Sequence, residues 1–190
     1  LLLAFISDRV AFGKRYDKVP LVKYFTAEEF GLTAEPISSG KYLKGFIYKN
    51  NQAVENGKII VFCHGMGPGH IAYTTEIAYF CNLGYTVAAF DGMGCNFSDG
   101  RNIKGMYEGV KTAVAAIDFV RGKFKDAPLY LVGHSWGAYS ALCASYERKV
   151  NAVVSISAPC TPSETMQKGA VNFGLPKILA AILRPYWWLI

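Results

Sequence analysis

A serine with a glycine two residues away on either side is the first candidate for chemistry in this chain. Residues 129–146 read LYLVGHSWGAYSALCASY, in which Gly133, Ser135 and Gly137 form the pattern G-x-S-x-G. A serine hydroxyl in such a pattern acts as a nucleophile when a sharp turn exposes it and a base activates it. Because three fixed positions make a short pattern, its weight depends on the elements that flank it.

The residues around Ser135 predict a turn between a buried strand and a helix. An apolar run ends at Gly133, and an alanine-rich run begins at Trp136. Such a turn holds the serine above the sheet in a strained conformation, and small flanking residues let the strand and helix approach closely. The alternative is a glycine-rich turn in which Ser135 only caps the helix. His134 is not expected to be the base, because neighbouring side chains across a sharp turn point apart.

A second glycine-rich turn supplies another part that an acyl-transfer site needs. Ester or amide hydrolysis by serine passes through a tetrahedral intermediate, whose oxyanion is stabilised by backbone N–H groups. We predict one N–H from Trp136, directly after the serine, and the other from Met66 in the stretch FCHGMGPGH. The alternatives are a plain tight turn or a dinucleotide-binding loop. Gly65, Gly67 and Gly69 do not fit the dinucleotide spacing G-x-G-x-x-G.

Two histidines and an aspartate near these turns are expected to have supporting roles. His64 lies in the glycine-rich turn and is expected to order it by hydrogen bonding. His70 stands at the start of a predicted helix and is expected at the surface or in a loop. Asp91 ends a predicted strand, and we expect it to organise a loop instead of acting as the catalytic acid. The sequence leaves open whether the ring of Trp136 lines an acyl pocket.

Short apolar runs that alternate with helical patterns predict the scaffold that positions these turns. Four nearly continuous apolar runs have the composition of strands buried on both faces. This order predicts a doubly wound, mostly parallel α/β sheet with helices on both faces, after an antiparallel hairpin. Ligands bind such sheets at the carboxyl ends of the strands, where His64, Asp91 and Ser135 fall. The predicted elements are the hairpin LTAEPIS and KYLKGFIYKN, the strands KIIVFCHG, YTVAAFD, APLYLVGHS and VNAVVSISAP, and the helices IAYTTEIAYFCNLG, MYEGVKTAVAAIDFVRGKF and WGAYSALCASYERK.

The composition argues against a disordered chain and against a nucleic-acid-binding surface. The chain of 190 residues is long enough for one domain with a substantial core. Apolar residues make up 52% and charged residues 18%, a composition that is unlike that of a disordered chain. The net charge is +6, but lysines and arginines alternate with acids, as in SDRVAFGKRYDKV. We interpret this charge as a solvated, mildly basic surface and expect no nucleic-acid partner.

The cysteines indicate neither a metal site nor a disulfide framework. The chain has five of them, which form no C-x-x-C pair and lie mostly in apolar runs: Cys63, Cys81, Cys95, Cys143 and Cys160. We interpret them as free thiols in a reducing compartment, which favours a cytoplasmic location. No metal and no cofactor are expected.

The two ends of the sequence are strongly apolar. The opening run LLLAFIS, Leu1 to Ser7, is too short to span a bilayer. We favour an amphipathic helix packed on the domain. The alternative is the end of a removed signal or anchor helix, which is the only route by which we expect membrane association. The aromatic run Tyr186 to Trp188 faces either a substrate or, as we favour, the core of a helical region.

Three ordered motifs resemble the α/β-hydrolase superfamily, and more narrowly its bacterial serine esterase, lipase and peptidase-like members. VFCHGMG, FDGMGCNFSDG and GHSWG follow the superfamily's order and spacing, and the resemblance covers residues 32–160. The middle motif departs from the pattern at Gly92-Met93, where the superfamily often has an arginine. The positions that it retains are Asp91, Gly94, Ser98 and Gly100.

The resemblance implies an α/β-hydrolase fold with Ser135 as the nucleophile. It also implies motif-supporting roles around the two turns, for His64, Gly65, Gly133, His134 and Gly137. The superfamily's chain order is serine, acid, histidine, yet no histidine and no aspartate follow Ser135. The acidic residues that do follow are Glu147, in a helix, and Glu164, a candidate acid just past the fourth strand. We therefore expect the acid and the histidine beyond Ile190, on C-terminal strands missing from this chain.

The expected organisation has three parts. These are an N-terminal helix or extended lead-in at 1–31, an incomplete α/β-hydrolase core at 32–162, and the start of a helical cap or lid region at 163–190. The expected function is hydrolysis of a carboxylic ester or related acyl substrate through an acyl-enzyme on Ser135, with the chain alone inactive. One alternative is a non-catalytic relative that binds a small molecule. Another is a nucleotide-binding α/β protein, which the absence of phosphate loops disfavours. The turn itself does not specify the substrate, and the oligomeric state is not predicted.

Overall fold

The computed structural model describes residues 2–40, 42–172 and 174–189. Two short 3₁₀ turns, Glu28–Phe30 and His70–Tyr73, accompany the regular elements. The helices and strands are α1 (Leu2–Phe12), β1 (Thr33–Ser39), β2 (Leu43–Lys49), β3 (Ile59–Cys63), α2 (Thr74–Asn82), β4 (Thr86–Phe90), α3 (Tyr107–Lys123), β5 (Leu129–His134), α4 (Trp136–Glu147), β6 (Ala152–Ile156), α5 (Pro162–Asn172) and α6 (Lys177–Leu189).

The six strands form one mixed sheet in the order β1-β2-β4-β3-β5-β6. β1 and β2 form the predicted antiparallel hairpin, and β2 runs antiparallel to β4. The strands β4, β3, β5 and β6 are parallel to one another, so their carboxyl ends share one edge of the sheet. The predicted α/β class, the hairpin and the parallel core are confirmed.

Helices cover both faces of this sheet because the central strands are apolar on both sides. On one face, Ile77 and Cys81 of α2 pack against Ile60 and Phe62 of β3. On the opposite face, α3 and α4 pack against the alternate residues of the same strands, such as Val61 of β3. Side chains alternate between the two faces of a strand, so a continuous apolar run requires cover on both sides.

The prediction of a fourth fully buried strand is wrong for β6. In the described part of the sheet β6 pairs only with β5 and forms the edge. Val153 packs on the face that carries α3 and α4, whereas Val154 and Ile156 on the other face are each 50% exposed. An apolar run indicates which residues can be buried, but burial also requires a neighbouring element on each face.

A third apolar cluster joins the N-terminal helix to the last two helices. Phe12 of α1, Met166 of α5 and Trp187 of α6 are buried together with Trp136 at the start of α4. The interpretation of the aromatic run as core is confirmed for Trp187, which is 1% exposed. The side chain of Trp188 lies outside the described part of the chain, as does Leu1.

The apolar N-terminal run forms a helix that contacts both α5 and α6. This agrees with the favoured interpretation of a helix packed on the domain. Within the described ranges, no helix combines the length and the apolar character that crossing a bilayer requires.

Candidate active site

Ser135 lies in the sharp turn between β5 and α4. Its φ is 54° and its ψ is −120°, a conformation that residues other than glycine rarely adopt. Its N–H donates to the carbonyl of Ile156 at 2.9 Å, and its carbonyl accepts from the N–H of Tyr139 at 3.1 Å. These two bonds hold the strained backbone in place. The side chain makes no capping hydrogen bond to α4, so the alternative in which Ser135 is only a helix cap has no support.

The two glycines of the pattern are required by close backbone approach. A Cβ at Gly133 would lie 2.5 Å from the carbonyl oxygen of Gly137. A Cβ at Gly137 would lie 2.0 Å from the carbonyl oxygen of Cys63, at the end of β3. The start of α4 is therefore in contact with the two strand ends from which the candidate site is built.

Substitution of Gly137 is expected to separate these elements. Gly137→Ala should lower the free energy of unfolding by about 1–3 kcal/mol, because the methyl group overlaps backbone atoms that cannot rotate away. Gly122→Ala in α3 is the matched control. A Cβ at Gly122 meets no atom within 4 Å, so this variant should gain about 0.5–1 kcal/mol. Urea denaturation measures both changes, and equal midpoints for the two variants would contradict the prediction.

The glycine-rich turn after β3 is connected through Tyr73 to the sharp β5–α4 turn at Gly133–Gly137, called the elbow below. The N–H of Gly65 donates to the Tyr73 hydroxyl at 3.1 Å. That hydroxyl lies 2.8 Å from Nδ1 of His134, to which it can donate its own proton. His134 is therefore directed at Tyr73, which agrees with the supporting role implied for it.

The two predicted oxyanion donors are not engaged elsewhere. Within the described ranges, neither the N–H of Met66 nor the N–H of Trp136 donates to a protein acceptor. Trp136 is the first residue of α4, whose N-terminal N–H groups have no partner within the helix. Both groups can therefore bind an anion, and their assignment as oxyanion donors stays a prediction.

His64 orders the glycine-rich turn, as expected. Its Nε2 accepts the N–H of Gly92 at 2.9 Å, and its Nδ1 lies 2.6 Å from the carbonyl oxygen of Gly65. This pattern requires a neutral ring that carries its proton on Nδ1. Burial is the main cause that lowers the pKa of His64 below its ordinary value. The ring therefore connects the turn after β3 to the loop after β4.

The neutral state of His64 predicts a pH dependence of stability. The unfolded chain takes up a proton near pH 6.5, whereas the folded chain does so only at lower pH. The contribution of His64 to the free energy of unfolding should therefore be fully present above pH 6.5. Below pH 6.5 the free energy of unfolding should fall, by at most about 1.4 kcal/mol per pH unit for this group. Urea midpoints between pH 8 and pH 5.5 provide the measurement. His64→Gln, which cannot titrate, should lose less stability over the same interval, and an unchanged slope would contradict the assignment.

The expectation that His70 lies at the surface is wrong. The side chain is fully buried, with Nδ1 at 2.7 Å from Oδ1 of Asp91 and Nε2 at 2.8 Å from the hydroxyl of Tyr48. A buried polar ring is stable when its hydrogen-bonding atoms have partners, and both ring nitrogens have one here. The helical pattern of the sequence does not reveal these partners, because they come from β2 and from the end of β4.

Asp91 organises the loop after β4, as expected. Its carboxylate accepts the N–H groups of His70 at 2.7 Å and of Phe97 at 3.0 Å, in addition to the His70 ring. Burial by itself raises the pKa of Asp91, but the adjacent His70 and these hydrogen bonds outweigh it and hold the pKa below its usual value. The carboxylate is thus occupied by the loop that it orders.

Arg15 is a supporting residue that sequence reasoning missed. Its guanidinium donates to the carbonyls of Ser98 at 2.8 Å and of Gly100 at 2.9 Å, and also to that of Asn96. The loop after β4, which departs from the superfamily pattern at Gly92-Met93, is therefore held by hydrogen bonds from an arginine of the N-terminal segment. Arg15 and Ser98 are 83 positions apart, and no local signal connects them.

The ring of Trp136 lies in the interior. It is 3% exposed, and its Nε1–H donates to the carbonyl of Met106 at 2.9 Å. It packs so closely on α3 that a Cβ at Gly109 would lie 2.7 Å from the indole. The question that the sequence left open is therefore answered in favour of a structural role for the ring.

No hydrogen bond joins the Ser135 hydroxyl to a histidine or carboxylate in the described part of the chain. The three histidines are bonded as given above. Glu147 accepts the Tyr107 hydroxyl at 3.2 Å, and Glu164 pairs with Lys168 at 2.9 Å on α5. The structure thus leaves the N–H groups of Met66 and Trp136 unbonded, and it brings none of these candidate acids or bases to Ser135.

The buried thiols lie in apolar surroundings. Burial is the main cause that raises the pKa of Cys63, Cys81 and Cys95 to about 12, so these thiols stay protonated. Among the residues described, no group of three or more His, Cys, Asp or Glu side chains could hold a metal ion. The expectation of a protein without metal or cofactor stays a prediction.

Comparison with solved structures finds the same fold in several esterases. An esterase from Pyrococcus furiosus superposes with a TM-score of 0.68 at 20% identity, over 92% of this chain and 68% of that chain. An α/β serine hydrolase without a lid from Xanthomonas campestris gives a TM-score of 0.58 at 17% identity, over 75% of this chain and 65% of its own. A thermostable carboxyl esterase from Bacillus coagulans gives 0.52 at 21% identity, over 76% and 51%. At these identities the likeness shows the fold alone.

Sequence comparison shows the family. No curated protein matches the chain significantly. The family model described as the alpha/beta hydrolase fold matches residues 58–174, which include β3 to β6, the glycine-rich turn and the elbow. The protein is therefore a member of the α/β-hydrolase family.

Proposed function

We propose that the protein is a serine hydrolase that cleaves carboxylic esters or related acyl compounds through an acyl-enzyme on Ser135. Family membership supports a hydrolase in general. The observation that carries the finer proposal is the strained Ser135 at the β5–α4 turn, directly before Trp136, whose N–H has no protein acceptor among the described residues. Strain of this kind persists where the surrounding structure enforces it, and it clusters at functional sites.

The proposed reaction uses these groups in sequence. The Ser135 hydroxyl attacks the carbonyl carbon of the substrate while a base takes its proton. The N–H groups of Met66 and Trp136 stabilise the oxyanion of the tetrahedral intermediate, which is usually a major part of the catalytic effect. The intermediate expels the alcohol, which receives the proton, and leaves an acyl group on Ser135. Water then releases the acid by the same route.

The base is the part of the site that the described residues do not supply. His64 and His70 have both ring nitrogens bonded elsewhere, and His134 is directed at Tyr73. Serine without a base is a weak nucleophile. The oxyanion donors and binding alone would leave residues 1–190 with a residual acceleration of about 10³–10⁴ over water. This part of the proposal places the acid and the histidine on a segment outside that range.

A second candidate function is binding of a small molecule without catalysis. It is favoured by one observation, the lack of any hydrogen bond between Ser135 and a histidine in the described chain. The two candidates share the fold, and they differ in whether the serine reacts.

Covalent labelling separates the two candidates. A fluorophosphonate probe should modify the complete gene product at the peptide that carries Ser135, as mapped by mass spectrometry. Such probes require an activated serine, so labelling is not expected of a binding protein. Labelling at a different serine, or none at all, would overturn the assignment to Ser135.

A further inference from the structure

A cavity of about 590 Å³ lies beside the candidate site, between α1 and α5. Ile6 and Val10 of α1 form one wall, and Met166 and Gly169 of α5 form another. Its size falls within the range of about 300–1,000 Å³ that is typical of small-molecule sites. The cavity is separate from the elbow itself, so its relation to Ser135 depends on the residues that the two share.

Two residues connect the cavity to the candidate site. Met66, the predicted oxyanion donor, lines it. Met106 also lines it, and the Met106 carbonyl accepts the indole N–H of Trp136, whose backbone N–H is the other predicted donor. The cavity therefore borders the predicted oxyanion site at Met66.

The lining of the cavity selects for apolar groups without positive charge. Most of it is aliphatic or methionine, and the hydroxyl of Thr165 is occupied by the carbonyl of Thr161 at 2.8 Å. Among the described lining residues there is no carboxylate, and the only charged group is Lys14, whose ammonium lies 5.0 Å from the ring centre of Tyr16. An apolar chain can bind here by burial, whereas a cation would meet Lys14 without a counterion.

The α1 wall has apolar side chains that are left half exposed. Ile6 is 46% exposed and Val10 is 55% exposed, and the two are one helical turn apart on the cavity side. Covering such surface with an apolar ligand is favourable in proportion to the area removed from water. The mouth of the cavity is therefore itself suited to hold an aliphatic chain.

We infer that this cavity binds the acyl chain of the substrate and directs the enzyme to esters of aliphatic acids much longer than acetate. A methylene group is similar in size to a water molecule, whose share of liquid volume is about 30 Å³, so a chain of about ten carbons needs about 300 Å³. The cavity accommodates it with room to spare. This inference rests on the proposed function, since it names the substrate class of the same site.

Gly169 provides a way to shorten the cavity without damaging the fold. It lies within α5 and lines the cavity, and a Cβ at this position meets no atom within 4 Å. A larger side chain should therefore enter the open space without a backbone clash. Gly122 in α3 also has no neighbour within 4 Å of a Cβ, but it lies at the exposed surface away from the cavity.

The first measurement compares kcat/KM for p-nitrophenyl esters from acetate to laurate in the complete protein. Burial of each added methylene should raise kcat/KM by up to about fourfold until the cavity is filled. Gly169→Leu should lower the ratio of decanoate to acetate ester hydrolysis by at least about tenfold. Gly122→Leu should leave that ratio unchanged.

The second measurement does not depend on catalysis. Decanoate and acetate are titrated calorimetrically into the Ser135→Ala protein with and without Gly169→Leu. Decanoate should bind at least about tenfold more tightly than acetate, and Gly169→Leu should remove most of that difference. Equal binding of the two acids, or decanoate binding that Gly169→Leu leaves unchanged, would overturn the inference. Loss of the proposed function would show differently, as ester hydrolysis that survives Ser135→Ala.

Discussion

Ser135→Ala is expected to lower kcat for ester hydrolysis by the complete protein by about 10⁶-fold and to abolish fluorophosphonate labelling. The alanine cannot form the acyl-enzyme, so only the oxyanion donors and the binding energy remain. The β5–α4 turn keeps its backbone bonds to Ile156 and Tyr139, and the variant should therefore unfold at nearly the same urea concentration as the parent. Steady-state kinetics with p-nitrophenyl butyrate measure the loss.

Ser157→Ala is the matched control for this experiment. Ser157 follows the neighbouring parallel strand β6 and has the same φ of 54° as Ser135. It is exposed, so a probe can reach it. We expect Ser157→Ala to retain both labelling and turnover. Hydrolysis that persists in Ser135→Ala and disappears in Ser157→Ala would show that the nucleophile is Ser157, after β6, and not Ser135.

Asp91→Ala is expected to lower the free energy of unfolding by about 3–5 kcal/mol. The carboxylate is fully buried and accepts from the His70 ring, from the His70 N–H and from the Phe97 N–H. Its removal leaves these donors without a partner in the interior, and breaking a buried pair from one side has a cost of this size. Urea denaturation at pH 7.5 provides the measurement.

Asp99→Ala tests whether burial is the reason for that loss. Asp99 belongs to the same loop and pairs with Lys44 at 2.9 Å, but its side chain is 51% exposed. An exposed pair of this kind contributes at most about 1 kcal/mol. Similar losses in the two variants would show that the loop tolerates the absence of the Asp91–His70 pair.

The low pKa of Asp91 also sets the direction of its pH dependence. A carboxylate whose pKa is lower in the folded chain stabilises the protein above its unfolded pKa of about 3.9 and loses that effect as the pH falls further. A loss of stability that begins near pH 6.5 therefore does not come from Asp91, and the His64→Gln variant shows how much of it comes from His64.

Local sequence patterns predicted the central scaffold because a strand that is buried on both faces has a continuous apolar run, which is visible in the sequence. The runs that became β3, β4 and β5 are apolar on both faces, and each is followed by a turn with small residues. The G-x-S-x-G pattern predicted the elbow because glycine is the residue type that fits the close contact between positions 133 and 137, which are neighbours in the chain. The contact of Gly137 with Cys63 of β3 is, in contrast, a tertiary one.

The sequence by itself therefore determined the α/β scaffold, the strained turn at Ser135 and the family to which the chain belongs. Only the tertiary structure decided that His70 is buried against Asp91 and Tyr48, that Arg15 holds the loop after β4, and that β6 exposes Val154 and Ile156. It also brought α1 to α5, and with them the cavity beside Met66. The physical reason is that a residue's burial and hydrogen bonds depend on which distant elements pack against it, and that information is not contained in local periodicity or spacing.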